Sequence, residues 1–130
     1  MGTWGVGNFE SDEAKDVLAV WIQKIVDEIQ ATFQIEDELE LYQLGESHIV
    51  ANTDILGTLH DHYHKYPDLD VETVRIWKDN YLTLFGQLFD EPSGIDSEDE
   101  FFVKRKGVVK DTFASLERIL QQNKELYDNS

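Results

Sequence analysis

Residues 12–33, DEAKDVLAVWIQKIVDEIQATF, decide how this chain folds. Ala14, Leu18, Trp21, Ile25 and Ile29 return at three- and four-residue spacing, the rhythm that brings side chains onto one face of an α-helix. Val17, Ile22, Val26 and Phe33 widen that stripe. Ser11 or Asp12 can cap the start, and Asp12 and Glu13 favour the positive end of the helix dipole. The pattern predicts a core helix of about 20 residues, wet only along Lys15, Gln23, Lys24, Asp27 and Glu28.

The same rhythm continues down the chain. Residues 36–45, EDELELYQLG, alternate Leu39 and Leu41 with acids as a strand would, while Leu39, Tyr42 and Gln43 also suit a helix; we read them as helix with strand as the alternative. Ile49, Val50, Thr53, Leu56, Leu59 and Tyr63 give the next face, with Gly45 and Gly57 as soft spots that each cost about 1 kcal/mol relative to Ala. Pro67 ends it. Asp70 is a good cap for a helix carrying Val71, Val74, Trp77, Tyr81, Leu84 or Phe85, and Leu88, which runs until DEPSGID at 90–96. Ser97 with Glu100 forms a capping box ahead of Phe102, Val109, Phe113, Leu116 and Leu120, and Glu100 with Lys104 makes a favourable i,i+4 pair. The expected fold is therefore all-α: a single-domain bundle of about four helices over residues 1–130, with residues 1–10 as an N-terminal arm packed on the body.

With 130 residues, 41% of them hydrophobic and 12% aromatic, the chain has enough apolar surface to offset its conformational entropy, so the acidic composition does not imply disorder. No cysteine is present, which excludes a disulfide scaffold and suits a reducing cytoplasm. No run approaches the roughly 20 apolar residues of a membrane span. The net charge of −16 argues against nucleic acid or an anionic membrane as a partner and in favour of a basic protein. Residues 1–103 hold 23 acidic and 5 basic groups, against 4 and 6 in residues 104–130, so the imbalance lies before Lys104.

The opening MGTWGVGNF raises a choice. A dinucleotide fingerprint requires G-x-G-x-x-G after a strand; Gly5 and Gly7 supply half of it, and Glu10, Asp12 and Glu13 would repel an arriving phosphate. The other reading is that Gly5 and Gly7 permit positive φ angles, so that Trp4 and Phe9 fold back beside the first helix. These residues, Met1-Gly2-Thr3-Trp4-Gly5-Val6-Gly7-Asn8-Phe9 followed by Asp12, Ala14, Asp16 and Leu18, resemble the start of a bacterial family called domain of unknown function 4259. Val6, Asn8 and Glu10 depart from the Thr, Pro and Asp common there. The resemblance implies a small, mostly helical cytoplasmic protein with no assigned catalytic residues.

Among chemistry-bearing residues, His60, His62 and His64 are candidate metal ligands, since His60 and His64 lie one helical turn apart. Set against this is a polar helix end, where His suits the negative dipole before Pro67. Ser47 beside His48 lacks both the second glycine and the preceding strand of a nucleophile elbow, and reads as surface. No cofactor is expected. The acids cluster as Glu36, Asp37, Glu38 and Glu40, and again as Asp90, Glu91, Asp96, Glu98, Asp99 and Glu100. Singly these are solvated faces; together they would offer a negative field to a basic cleft. The cations of Lys104, Arg105 and Lys106 read as partners of the second acidic stretch.

These features lead to an acidic protein-binding domain of the immunity or antitoxin kind, neutralising a basic partner such as a toxin nuclease. Glu36, Asp37, Glu38, Glu40, Asp96, Glu98, Asp99 and Glu100 are its expected contacts and Tyr42 a possible anchor. The alternatives are a metal-binding protein or enzyme using the histidines, and a self-associating domain that leaves part of the Trp77, Tyr81, Phe85 and Phe89 face uncovered.

Overall fold

The computed structural model describes residues 12–63, 69–89 and 100–128. The arm residues Trp4, Gly5, Gly7 and Phe9, together with Pro67, His64, Asp96, Ser97, Glu98 and Asp99, lie outside these, as does the side chain of Asp12. Five α-helices follow one another: α1 Asp12–Thr32, α2 Glu38–Gly45, α3 Asn52–Tyr63, α4 Val71–Phe89 and α5 Glu100–Asp128. A π-helical segment, Glu46–Ala51, joins α2 to α3. Gly45, Glu46 and Asn52 all keep right-handed helical dihedrals, so α2, the π segment and α3 form one unbroken helical run, and the described residues make four such runs. Among the described residues there is no strand, and the all-α bundle read from the sequence is the fold observed.

The ambiguous stretch is helical for a visible reason. The Asp37 carboxylate accepts a hydrogen bond from the Glu40 backbone N–H at 2.8 Å, and Glu38 and Glu40 occupy the positive first turn. Leu41 and Tyr42 then turn inward while Glu38, Leu39 and Glu40 stay in water, a 3.6-residue distribution and not the alternation of a strand.

The core is one cluster. Leu18, Ile22, Val26 and Ile29 of α1 meet Ile49, Val50 and Leu56, then Val74, Trp77, Tyr81 and Leu84 of α4, and Val109, Phe113, Leu116 and Leu120 of α5. Helix α5 packs along both α3 and α4. Three rings of the face expected to be partly uncovered, Trp77, Tyr81 and Phe85, are buried, because α2 and α5 close over the side of α4 that carries them, while the side chain of Phe89 lies outside the described residues. Two further expectations change. In α1 the core-facing stripe is Leu18, Ile22, Val26 and Ile29, whereas Val17 and Trp21 stand in solvent with Val20; a helix turning 100° per residue buries one of two neighbouring apolar stripes. Gly45 is more than a soft spot: a Cβ there would lie 2.6 Å from Cε1 of the fully buried Tyr81. The absent side chain is what lets α2 approach α4 so closely.

Candidate functional site

Polar groups from all five α-helices gather around the π-helical segment. The Asn52 side-chain amide donates to the His48 carbonyl at 2.9 Å and the Thr53 hydroxyl to the Ile49 carbonyl at 2.7 Å. Thr32, Thr58 and Thr112 make the same bond within regular α-helices, so the π geometry is a feature of this segment beyond those bonds; single π turns recur at functional sites.

On the inner side of the segment, Glu46 is paired with Arg105 of α5. The Arg105 Nε donates to Glu46 Oε2 at 2.9 Å, and Nη2 donates to the same oxygen. Both side chains are about three-quarters withdrawn from solvent, each 27% exposed. Tyr42 and Tyr81 flank the pair. The Tyr81 hydroxyl donates to the Tyr42 carbonyl at 3.3 Å, and the Tyr42 ring meets Phe85 edge-on at 5.8 Å. Burial, then the Glu46 charge, pushes both phenols above their ordinary range, Tyr81 the further of the two. Hydrogen bonding to Glu46 holds the Arg105 guanidinium more firmly protonated against the opposing effect of burial. The sequence had assigned Arg105 to the acidic stretch just before it. That assignment holds for Lys104, 2.8 Å from Glu100, but Arg105 reaches a carboxylate 59 residues away, because α5 presents it to the opposite face.

On the outer side, the Ser47 hydroxyl lies 2.8 Å from His48 Nδ1, and His48 Nε2 lies 3.4 Å from Glu28 Oε1 of α1. Asn52 Nδ2 also donates to Glu28 Oε2 at 3.1 Å. Hydroxyl, imidazole and carboxylate stand in the order of a hydrolytic relay. Two features turn them from catalysis: Nδ1 is shared with the Leu44 carbonyl at 3.1 Å, and the backbone N–H groups around Ser47 sit within a continuous helical run, not free to form an oxyanion hole. What the arrangement does is clasp α1 to the π segment.

Two histidines of the candidate metal site, His60 and His62, diverge, while His64 lies outside the described residues. His60 is completely buried, with Nδ1 2.8 Å from the Leu56 carbonyl, and its own carbonyl accepts from Asn123 Nδ2 at 2.9 Å, tying α3 to α5. His62, two residues on, is exposed and edge-on to Tyr63 at 4.6 Å. Two residues are 200° of helix, so these rings occupy opposite sides. Among the described residues no three His, Asp or Glu side chains converge on a cation position.

The first acidic cluster is intact on the surface. Glu36, Asp37, Glu38 and Glu40 are all exposed, on the turn after α1 and the first coil of α2. Asp37 is engaged as the helix cap, and among the described residues none of the four is ion-paired. Leu39 and Leu44 stand exposed beside them, with Tyr42 half-buried. A groove of about 190 Å³ between α3 and α5 is lined by Asp54 and Asp61 but also by Arg118, so its charge is partly balanced and it does not extend the acidic surface. No protein family, curated protein or solved structure matches this chain. Among the described residues no helix is long and apolar enough to cross a membrane.

Proposed function

We propose that this chain is an acidic protein-binding domain of the immunity or antitoxin kind, which occupies the basic cleft of a partner such as a toxin nuclease. The observation that carries the reading is the run Glu36, Asp37, Glu38 and Glu40, exposed and without an ion pair among the described residues, with the apolar Leu39 exposed within it. An apolar centre within a charged rim is the usual anatomy of a protein interface. Charge of this sign steers association with a cationic surface and raises its rate at low salt. A cytoplasmic setting fits the absence of cysteine. Glu100, exposed at the start of α5, and Asp96, Glu98 and Asp99, which precede it in sequence, are the further contacts of this proposal.

The test is affinity capture from the native host on the immobilised chain, run beside the triple variant Glu36→Lys, Glu38→Lys and Glu40→Lys. A basic protein that is retained at low salt, elutes as salt is raised and is lost from the variant supports the proposal. Equal retention on both columns, or retention unaffected by salt, rejects it.

A further inference from the structure

Helix α1 carries two apolar stripes and the core uses one of them. Val17, Val20 and Trp21 are 50%, 56% and 57% exposed, on the side turned from Leu18, Ile22, Val26 and Ile29. Asp16, Val20 and Lys24 follow one another four residues apart, so they form a single ridge along that outer side, with Val17 and Trp21 beside it. Asp16 and Lys24 are both exposed, and neither has an ion pair among the described residues. The Lys24 ammonium lies 4.6 Å from the Trp21 ring centre, which keeps the cation at the edge of the apolar patch.

The ridge therefore runs acid, apolar, cation, and it is its own complement in reverse. The helix rise puts Asp16 and Lys24 each about 6 Å from Val20, in opposite directions. An identical helix laid antiparallel, with a two-fold axis at Val20, sets Asp16 against Lys24 at both ends and Val20 against Val20 between them. A parallel copy in the same register would set acid on acid and cation on cation. We propose that this face of α1 is an interface between two copies of the chain, paired antiparallel about Val20. Charge complementarity selects this occupant: a uniformly basic or acidic partner would match one end of the ridge and be repelled at the other, whereas a second copy matches both. Pairing also takes Val17, Val20 and Trp21 of each copy out of water. The net charge of −16 opposes the approach of two chains, but at physiological salt that repulsion is largely screened beyond about 8 Å, while the ridge contacts are direct. One helix pair buries less than a standard interface, so the dimer is weak and exchanges. Residues 36–40 lie outside this contact, so it is separate from the association proposed for the acidic turn.

Sedimentation equilibrium of the full chain in about 0.15 M salt, from about 10 µM to about 1 mM, should show a monomer–dimer equilibrium. Asp16→Lys should weaken it about 10-fold, since a cation then faces Lys24 at both ends, and Lys24→Asp should do the same with two acids. Both positions are exposed, so the thermal midpoints should stay at that of the parent chain. Mixed in equal amounts, the two variants should pair with each other more tightly than either pairs with itself. The doubly exchanged chain, Asp16→Lys with Lys24→Asp, should recover self-association and lose it toward the parent chain. A chain that stays monomeric at about 1 mM, a dimer indifferent to both substitutions, or a doubly exchanged chain that prefers the parent to itself would each overturn the proposal. So would a monomer whose thermal midpoint falls on Trp21→Ala, because the stripe would then be closed within one chain.

Discussion

Glu36, Glu38 and Glu40 stand in water at the start of α2, whereas Glu46, six residues further along the same helical run, is held against Arg105 beside Tyr42 and Tyr81. The side chains are identical and their circumstances opposite. A carboxylate withdrawn from solvent must be matched by a cation and by hydrogen bonds, so its charge is committed to the fold. A carboxylate left in solvent contributes little to the fold and keeps its field for a partner. Stability should therefore respond at the π segment and association at the acidic turn, and each prediction sets one region against the other.

The largest stability effect is expected from Arg105→Ala, which strands the Glu46 charge in a partly dry site and should cost about 3 kcal/mol in urea unfolding. Replacing both partners, Glu46→Leu with Arg105→Leu, should recover most of that loss, because the isolated charge and not the missing pair is the damage. If the double variant is as unstable as the single, the pair is not the element that matters. Next is Gly45→Ala. Its Cβ would press on Tyr81 Cε1, which is fully buried and has nowhere to go, and overpacking of this kind costs about 2 kcal/mol. Gly57→Ala is the control: its Cβ would meet only Ile119 Cδ1 at 3.7 Å, so the better helix propensity of Ala should leave stability unchanged or slightly raised.

Alkaline stability sharpens the comparison in a third way. Burial and the Glu46 charge raise the folded-state pKa of Tyr81 above that of the unfolded chain, whose tyrosines ionise near the ordinary value of 10.0. The stabilisation is complete below that value. As pH rises past it, the unfolded state loses a proton that the folded state retains, and stability falls by about 1.4 kcal/mol per pH unit for each such group. Tyr81→Phe should flatten this slope in unfolding measured between pH 9 and 11, whereas lysine substitutions at Glu36, Glu38 and Glu40 should leave it in place. An unchanged slope in Tyr81→Phe would mean that the phenol is not shielded as the fold implies.

The sequence carried the helical rhythm of α1, α4 and α5 plainly, because a period of 3.6 residues survives any detail of packing. It did not carry which of two adjacent apolar stripes on α1 faces inward: Leu18 with Ile22 and Val17 with Trp21 have the same spacing, and only the placement of the other helices separates them. Nor was the π segment legible, since its residues would also suit an ordinary helix. Glu46 and Arg105 are remote in sequence, and no local pattern joins them. His60 shows the converse, a residue whose type suggested ligation and whose position on the inner face of α3 places it in the core.

The smallest stability effect belongs to the acidic turn and tests the functional half of the comparison. Glu36→Lys, Glu38→Lys and Glu40→Lys together change formal charge by six units yet break no ion pair among the described residues, so the loss in unfolding free energy should be about 1 kcal/mol, that of the favourable dipole position of Glu38 and Glu40 in the first turn. Asp37 is left intact in this variant because its carboxylate caps α2, and its loss would mix a helix-start defect of about 1 kcal/mol with the charge effect. With the fold undisturbed, the association rate with a basic partner should fall about 10- to 100-fold at low salt and converge on the wild-type rate as salt screens the field. Stopped-flow rates that stay apart at high salt would point to lost contacts in place of lost steering, and an unchanged rate at low salt would remove the acidic turn from the binding surface.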